Sequence, residues 1–278
     1  MRKVLFMSSG ESVSTPIDSD FQAWLDKGDG LGYTLPTSGN QTKINQLFTD
    51  LKSNGVWVED DLEYIQVGTG SKEMATLNMK DPDSFQCTIN GGVTWTDLDG
   101  FSFNGTTGYL DTGWDYINSA VKYTNADASG SIYISSVHDY ATYGEGIFFG
   151  TGRKFSARSR MELRNPDTSI TYHAHGDAII VVNGEGNIDY TGFHSVIRAN
   201  VTDNSKWYKD GVVKNEEDKT LLAFIDEGYT TLIGAMQGNG VVEGYISGST
   251  KFFSIGSSQI AKQVIKNTLI TNYVNSIT

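Results

Sequence analysis

The segment FSFNGTTGYLDTG, residues 101–113, contains the pattern that decides the fold class. Phe101 and Phe103 alternate with polar residues, a turn bounded by two glycines follows, and residues 109–112 alternate again. Alternation with a period of two residues is typical of strands with one buried face, and glycine permits the tight turn between them. The segment therefore predicts two strands joined as a hairpin, with both phenylalanines in a core.

Short alternating segments recur between residues 101 and 255, separated by turns rich in glycine, serine, threonine and asparagine. One of them, WYKDGVV at residues 207–213, places Asp210 and Gly211 between apolar alternations, which is the sequence of a two-residue hairpin turn. Many short strands at such spacing are typical of two packed antiparallel sheets. The sequence therefore predicts a mainly β protein, a sandwich or jelly roll.

Helical periodicity is found near the two ends of the chain. Apolar residues recur at helical spacing in two segments before residue 55 and in one after residue 257. They are Phe21, Trp24 and Leu25, then Ile44, Leu47, Phe48 and Leu51, and finally Ala261, Ile265, Leu269, Tyr273 and Ile277. We therefore divide the chain into an N-terminal arm over residues 1–15, a small helical segment with one or two strands over residues 16–84, and a jelly roll over residues 85–278. The jelly roll includes a closing helix over residues 258–277.

Charge and cysteine content exclude several classes of function. The chain of 278 residues has a formal net charge of −12 and a pI of about 4.7, and such a surface repels nucleic acid and anionic membranes. The single cysteine, Cys87, excludes a disulfide within the chain. The apolar run at residues 4–7 is too short for a signal peptide, and no run has the length of a membrane span. The sequence predicts a protein that is made in a cytoplasm and binds neither nucleic acid nor membrane.

Four segments resemble structural proteins of tailed bacteriophages. They are LGYTLPTSGNQTKINQLFTDLKSNGVW (residues 31–57), MATLNMKDPDSFQCTINGGVTWTDLDGFSFNGTTGYLDTGWD (74–115), WYKDGVV (207–213) and FFSIGSSQIAKQVIKNTLITNYVNSI (252–277). In that family a small helical piece precedes a concanavalin A-like, laminin G-like jelly roll. The resemblance implies the same fold here, and a virion protein of a crAss-like or related phage of Bacteroidetes hosts.

The function that this resemblance implies is a non-enzymatic structural protein on the head or tail of a phage particle, assembled in the host cytoplasm. We expect its terminal segments to anchor it to other virion proteins, as a homo-oligomer or in many copies. The expected assembly contacts are Val4, Leu5, Phe6, Met7, Ile265, Leu269, Tyr273 and Ile277. The alternative is a carbohydrate-binding adhesin or lectin module that recognises glycans of the host surface.

Concanavalin A-like folds also include glycanases, so the acidic residues Glu59, Asp61 and Glu63 are candidates for catalysis. At spacing i, i+2 and i+4 on a strand, their carboxylates share one face, as a retaining glycosidase requires. A glycanase using them is the third hypothesis. The residue between the first two acids is Asp60 where the glycanase pattern has an apolar residue. A solvated acidic strand explains the same three residues, and we predict no catalytic residue and no enzyme.

Metal ligation has two sets of candidates. One strand face could present His173 and His175 to zinc, with Asp177 following, although a surface strand with two polar histidines is the alternative. Aspartates around the first segment resemble the calcium ligands of laminin G-like domains, or else they cap turns. These are Asp97, Asp99, Asp111 and Asp115. We assign no metal ligand and no cofactor, and leave a structural calcium ion open.

Aromatic residues are the candidates for sugar binding, because sugar rings stack on aromatic faces. The residues are Trp114, Tyr116, Tyr140, Tyr143, Trp207 and Tyr208. Burial in the sandwich core is the competing interpretation for each of them. The sequence by itself leaves the ligand-binding residues undetermined.

Overall fold

The structure is a computed structural model that describes most of the chain. It covers residues 16–124, 127–136, 138–144, 146–152, 158–164, 169–174, 179–183, 190–199, 205–217, 228–238 and 240–277. Within these residues the chain is mainly β, with two packed antiparallel sheets, helices that precede them and a helix that follows them. The predicted fold class, an antiparallel β-sandwich with a small N-terminal helical segment and a C-terminal helix, is confirmed.

The helices and strands have the following bounds. The α-helices are α1 (Ser19–Gly30), α2 (Ser38–Ser53), α3 (Tyr140–Tyr143) and α4 (Gln263–Ser276), and the 3-10 turns are Trp57–Glu59, Met74–Thr76 and Ile260–Lys262. The strands are β1 (Asp60–Ile65), β2 (Thr88–Asn90), β3 (Val93–Thr96), β4 (Gly100–Phe103), β5 (Tyr109–Asp111), β6 (Asp127–Ser136), β7 (Gly146–Gly152), β8 (Arg158–Arg164), β9 (Ser169–Ala174), β10 (Ile179–Asn183), β11 (Gly192–Ala199), β12 (Ser205–Lys209), β13 (Val212–Glu217), β14 (Leu232–Ile233), β15 (Met236–Gly238), β16 (Val241–Glu243) and β17 (Ser249–Gly256). None of the helices described here is long and apolar enough to cross a membrane.

Two sheets form the sandwich. In the described part of the chain, the larger sheet has eight strands in the order β13-β12-β11-β6-β17-β4-β3, with β1 also paired to β17. The second sheet has seven strands there, in the order β10-β9-β8-β7-β14-β5-β2. The neighbours β6 and β17 lie more than a hundred residues apart in sequence, so the larger sheet forms only when distant parts of the chain meet.

Residues 101–113 connect the two sheets and do not form the predicted hairpin. β4 pairs with β3 and β17 in the larger sheet, whereas β5 pairs with β2 and β14 in the second sheet. Phe101 and Phe103 are buried, as predicted, and Leu110 faces the same core from the opposite sheet. Alternation determines which side chains are buried but not which strand is the partner, and for this reason the hairpin prediction is wrong. The turn at residues 104–108 is an arch between the sheets.

The WYKDGVV segment forms the hairpin that the sequence predicts. β12 and β13 pair antiparallel, and Asp210 and Gly211 form the two-residue turn between them. Their φ angles are 50° and 75°, as a turn with two left-handed residues requires. Here the local turn sequence was sufficient to predict the hairpin, because a two-residue turn makes the strands on either side of it pair with each other.

Strand β17 is buried on both faces. Phe253 and Ile255 point into the core between the two sheets, together with Tyr64 of β1. The intervening residue Phe252 points to the other side of the sheet and packs in a second core, which also contains Ile65 of β1. The larger sheet is therefore covered on both sides along β17 and β1.

Helices α1, α2 and α4 provide the cover on the outer face of the larger sheet. Trp24 of α1, Phe48 of α2 and Ile270 of α4 have no exposed surface and share the second core with Phe252. The Asp18 carboxylate caps α1 by accepting the backbone N–H groups of residues 20 and 21, at 2.9 and 3.3 Å. β1 leads directly from these helices into the larger sheet, so the helical segment over residues 16–84 is joined to the sandwich by a strand.

Asp60, Glu63 and Lys266 form a buried charge cluster between β1 and α4. The Lys266 ammonium donates to both carboxylate oxygens of Asp60, each at 2.8 Å, and Gln259 donates to one of them at 2.9 Å. Neither carboxylate oxygen of Glu63 has a hydrogen-bond partner among the described residues, and the side chain has no exposed surface. Burial, reinforced by the nearby Asp60 carboxylate, raises the pKa of Glu63 to about 8. Glu63 is therefore neutral in the folded protein at pH 7.

The raised pKa of Glu63 makes the stability of the fold depend on pH. The unfolded chain releases this proton near the ordinary pKa of 4.5 and the folded chain near 8, so the folded state holds more protons between these values. The free energy of unfolding should therefore fall as the pH rises through this window. We expect Glu63→Gln to remove that fall. Between pH 5 and pH 8, the variant should lose less free energy of unfolding than the native protein, by on the order of 3 kcal/mol.

Urea denaturation of both proteins at pH 5, 6, 7 and 8 measures this difference. Glu73→Gln is the matched control, because the Glu73 side chain is 43% exposed and should leave the pH dependence unchanged. Parallel pH profiles for the native protein and Glu63→Gln would contradict the assignment.

Candidate functional site

The acidic residues proposed for catalysis do not share a face. Glu59 accepts a hydrogen bond from the Ser257 hydroxyl at 2.8 Å, whereas Asp61 accepts the backbone N–H groups of residues 121–123 at 2.8–3.1 Å. Glu63 is buried on the helical side of the sheet. A register shift in β1 between residues 60 and 62 breaks the alternation. The expected shared face is therefore wrong, and no two of these carboxylates flank a substrate site.

The four aspartates considered for calcium stabilise separate turns. Asp97 accepts the Gly70 N–H at 2.8 Å, and Asp99 contacts the Thr96 hydroxyl at 3.2 Å. Asp111 accepts the Gly113 N–H at 2.9 Å, and Asp115 accepts the Ile117 N–H at 2.8 Å. The described residues include no group of three or more acidic, histidine or cysteine side chains that could hold a metal ion. Turn capping thus accounts for all four.

The zinc candidates lie mostly outside the described residues. His173 lies in β9, paired with residues 160 and 179, and its side chain is not among those that the structure describes. His175 and Asp177 also lie outside the described residues. The zinc hypothesis therefore stays a prediction.

Most of the aromatic residues considered for sugar binding are core residues. Trp114, Tyr116, Trp207 and Tyr208 are at most 8% exposed, and the side chain of Tyr140 is outside the described set. Tyr143 differs, because 40% of it is exposed. The structure thus leaves Tyr143 as the candidate to examine.

Tyr143 lies where three loops meet at one end of the sandwich. We call residues 104–108, 138–144 and 244–247 the loop cluster. The arch is bonded to the third loop through the Gly105 N–H and the Ile246 carbonyl, at 2.8 Å. The second loop is bonded to the third through the Asp139 N–H and the Ser247 hydroxyl, also at 2.8 Å. Direct hydrogen bonds therefore hold the three loops as one surface.

The carboxamide of Asn104 holds the shape of the arch. Its oxygen accepts the backbone N–H groups of Thr106, Thr107 and Gly108 at 3.1, 2.9 and 2.9 Å, and its amide nitrogen donates to the Thr107 hydroxyl at 3.0 Å. One side chain thus satisfies three backbone donors that would otherwise need water. The arch is rigid because its hydrogen bonds are internal.

His138 joins the second and third loops. Its Nδ1 accepts the Ser247 backbone N–H at 2.9 Å, so the ring proton is on Nε2, which donates to the Gly144 carbonyl at 2.7 Å. The imidazole lies against Gly146 of β7, where a Cβ atom would come within 2.8 Å of the ring. Burial lowers the pKa of His138. The neutral ring is the form that fits, because Nδ1 must accept a hydrogen bond.

Tyr143 is 40% exposed, and its ring packs on Gly105. A Cβ atom at Gly105 would come within 2.5 Å of the ring, and the His138 ring is 6.2 Å away. Gly105 has a φ of 77°, which also favours glycine. A second aromatic pair, Tyr109 and Tyr245, flanks the arch and the third loop with its ring centroids 6.2 Å apart. The loop cluster is therefore a fixed aromatic surface.

Polar side chains lie in the same loops as Tyr143. The side chains of Thr106, Asp139 and Thr142 are exposed in the same loops. Asp139 accepts the Thr142 N–H at 3.2 Å, and hydrogen bonds from Thr142 lower the pKa of its carboxyl. The surface thus combines an aromatic platform with hydroxyl groups and a carboxylate.

The sequence pointed to Tyr143 but not to the residues that position it. Asn104 before Gly105 is a turn sequence that could have identified the arch. His138 carries no local signal, because its partners Gly144 and Ser247 are brought together by the sheets and not by sequence spacing.

The residues proposed for assembly fall into three groups. Val4, Leu5, Phe6 and Met7 lie outside the described residues. Tyr273 and Ile277 are 5% and 9% exposed and pack in the second core of this chain, so they are covered before any partner arrives. Ile265 is 38% exposed and Leu269 is half-buried, and for these two the contact stays a prediction.

The lowered pKa of His138 predicts that acid loosens the loop cluster. The native state favours the neutral ring, so its contribution to stability is present above pH 6.5 and is lost as the pH falls through the lower folded pKa. Protonation also removes the hydrogen bond to Ser247, which is worth about 1 kcal/mol. We expect a fall of about this size in the free energy of unfolding below pH 6.5.

His138→Gln should reduce this fall in the free energy of unfolding at low pH, because the glutamine side chain accepts and donates hydrogen bonds without titrating. Denaturation at pH 5 and pH 7 tests it, with Asp139→Asn as the control for a charge on the neighbouring residue. If the free energy of unfolding falls as much between pH 7 and pH 5 in His138→Gln as in the native protein, other titrating groups cause the effect.

No protein-family model matches the sequence, and no curated protein matches it. Solved structures match the fold. The receptor-binding domain of the botulinum neurotoxin C/D mosaic serotype is 12% identical with a TM-score of 0.52, over 76% of this chain and 51% of that chain. A structure of botulinum neurotoxin type C, whose entrance into cells is described as dependent on two ganglioside molecules, is 13% identical with a TM-score of 0.54, over 78% and 53%.

A third neighbour is the binding domain of botulinum neurotoxin DC in complex with rat synaptotagmin II. It is 12% identical with a TM-score of 0.54, over 77% of this chain and 52% of that chain. The chain thus spans about half the length of these neighbours. Identities of this size show the fold alone, so the phage origin stays a prediction. What the comparisons establish is a β-sandwich fold that binding domains also use.

Proposed function

We propose that this chain is a non-catalytic recognition module whose loop cluster binds glycans. The observation that carries the proposal is the Tyr143 ring, which packs on Gly105 and is 40% exposed. An exposed aromatic face on a rigid support is what stacking against the C–H face of a sugar ring requires. Glycan binding is the alternative function that the sequence predicts, and the exposed ring of Tyr143 favours it.

The polar groups of the loop cluster supply the second half of carbohydrate recognition. Sugar hydroxyls need hydrogen-bond partners in fixed positions around the stacked ring. The hydroxyls of Thr106 and Thr142 and the carboxylate of Asp139 are exposed next to Tyr143 on loops that are bonded to each other. Because these loops are held before any ligand arrives, little entropy is lost when it binds.

The structural neighbours support binding over catalysis. They are receptor-binding domains, and the one from botulinum neurotoxin type C is described with two gangliosides, which are lipids with a glycan headgroup. The binding domain of botulinum neurotoxin DC is in complex with a protein, rat synaptotagmin II. This chain spans about half the length of those proteins, so their binding supports a recognition role here at the level of the fold. The scattered positions of Glu59, Asp61 and Glu63 argue in the same direction.

We propose further that the module is displayed on a phage particle, which the sequence resemblance supports. In that setting a glycan-binding surface would hold the particle on a host cell, and the helical side would face other virion proteins. Many copies per particle would turn weak individual contacts into firm attachment.

Mass spectrometry of purified particles tests the virion setting. We expect the chain among the particle proteins, and we expect a variant lacking residues 1–12 to fold but to be lost from the particles. Particles that lack the chain, or that incorporate the truncated variant fully, would contradict this setting without bearing on glycan binding.

Glycan binding is tested by array screening and calorimetry on the isolated chain. We expect Tyr143→Ala to weaken binding of the selected glycan about tenfold, since one stacking contact is worth about 1.4 kcal/mol. The melting temperature should change little, because the ring is substantially exposed.

Leu98→Ala is the matched control. Leu98 is 50% exposed and follows β3, at the end of β4 opposite to the arch, so its removal should leave binding unchanged. A native protein that binds no glycan, or binding that survives in Tyr143→Ala, would refute the site.

A further inference from the structure

A groove between α2 and α4 offers a binding surface that the proposed function does not use. Its volume is about 380 Å³, which is within the usual range of about 300–1,000 Å³ for ligand pockets. Leu47, Leu269 and Tyr273 form its apolar part, and Gln46, Asp50 and Asn272 stand at its rim. It lies in the helical layer, whereas the loop cluster lies at one end of the sandwich.

The N-terminal arm joins the described chain at Pro16, which is bonded to α2, the helix that forms one wall of this groove. Asn45 of α2 receives the Asp18 N–H on its side-chain oxygen at 2.8 Å and donates to the Pro16 carbonyl at 3.1 Å. Asn45 is itself buried and is not one of the α2 residues that line the groove. The arm is therefore tied to the same helix that forms one wall of the groove.

The length of the arm is sufficient to bring its apolar run into the groove. Eight residues separate Met7 from Pro16, and they can span up to about 26 Å. The part of α2 that lines the groove, residues 42–50, is about 12 Å long. The connecting segment can therefore span more than the length of the groove wall on α2, the helix to which Pro16 is bonded.

The charges of the two partners are complementary. Arg2 and Lys3 precede the apolar run, and Asp50 stands at one end of the groove, where it accepts a hydrogen bond from Gln46 at 2.9 Å. At the other end the Lys43 ammonium already donates to the Ser276 carbonyl at 2.6 Å. The basic residues of the arm therefore match the Asp50 end.

We propose that residues 4–7 of the arm dock into the groove between α2 and α4 of the same chain, with Arg2 and Lys3 next to Asp50. In an extended segment, alternate side chains point to the same side, so Leu5 and Met7 enter the groove together, or Val4 and Phe6 do. The docked arm covers Leu269, which is half-buried, whereas Leu47 and Tyr273 are already only 3% and 5% exposed beneath it. This proposal does not depend on glycan binding.

Disulfide trapping in the full chain tests the docking. In the double variant Ser8→Cys with Thr42→Cys, the first position follows the apolar run and the second lies at the groove end away from Asp50. The native Cys87 does not interfere, since it is 5% exposed and burial raises the pKa of its thiol. We expect an intramolecular disulfide to form at least about tenfold faster than in the control, because docking raises the effective concentration.

The control is Ser8→Cys with Val241→Cys. Val241 is 62% exposed and lies in β16, on the side of the second sheet and not of the helices. Adding Phe6→Asp and Leu5→Asp to the first pair should reduce its rate to that of the control.

Each outcome of the trapping experiment decides the proposal. A monomer with a fast disulfide, slowed by the arm aspartates, supports docking within one chain. Equal rates for the two pairs would overturn it. Fast formation of covalent dimers would also overturn it, because the arm would then occupy the groove of a second copy.

Discussion

The two-sided burial of β17 is the constraint on which the rest of this structure depends. Phe252 packs with the helices and Phe253 packs between the sheets, so one strand belongs to two cores. Its edges are also both used, since it pairs with β6 on one side and with β4 and β1 on the other. A strand with four occupied sides has little freedom to slip in register, because a shift by one residue would exchange the two cores. The helices are therefore a third layer of the fold and not an appendage.

This third layer contains a charged pair that hydrophobic packing does not explain. Taking Asp60 and Lys266 out of water is unfavourable, and their two hydrogen bonds of 2.8 Å offset this without making the pair a source of net stability. We attribute to the pair a role in specifying how α4 sits on β1. An apolar helix can rotate on an apolar surface, but Lys266 finds a carboxylate in one position only. Glu63, left neutral beside the pair, avoids a second buried negative charge.

The sequence predicted the elements whose partners are close along the chain. The apolar faces of α1 and α2 follow from spacing alone, and the β12–β13 hairpin follows from Asp210 and Gly211, because in each case a local pattern determines the geometry. The arch at residues 104–108 was missed, since alternation in β4 and β5 is the same whether they pair with each other or face each other. The register shift in β1 had the same effect on the acidic residues, because one extra residue changes which side chains share a face.

The candidate site could be predicted only in part for a related physical reason. Aromatic content suggested sugar binding, but four of the six aromatic residues considered are buried, and exposure is a property of the assembled sandwich. The support for Tyr143 comes from Gly105, and the position of its loop comes from His138 bonding to Gly144 and Ser247. These residues meet because the arch crosses from one sheet to the other at the same end as the other two loops. The crossing that closes the sandwich therefore also builds the platform on which the side chains of Thr106, Asp139 and Thr142 are exposed.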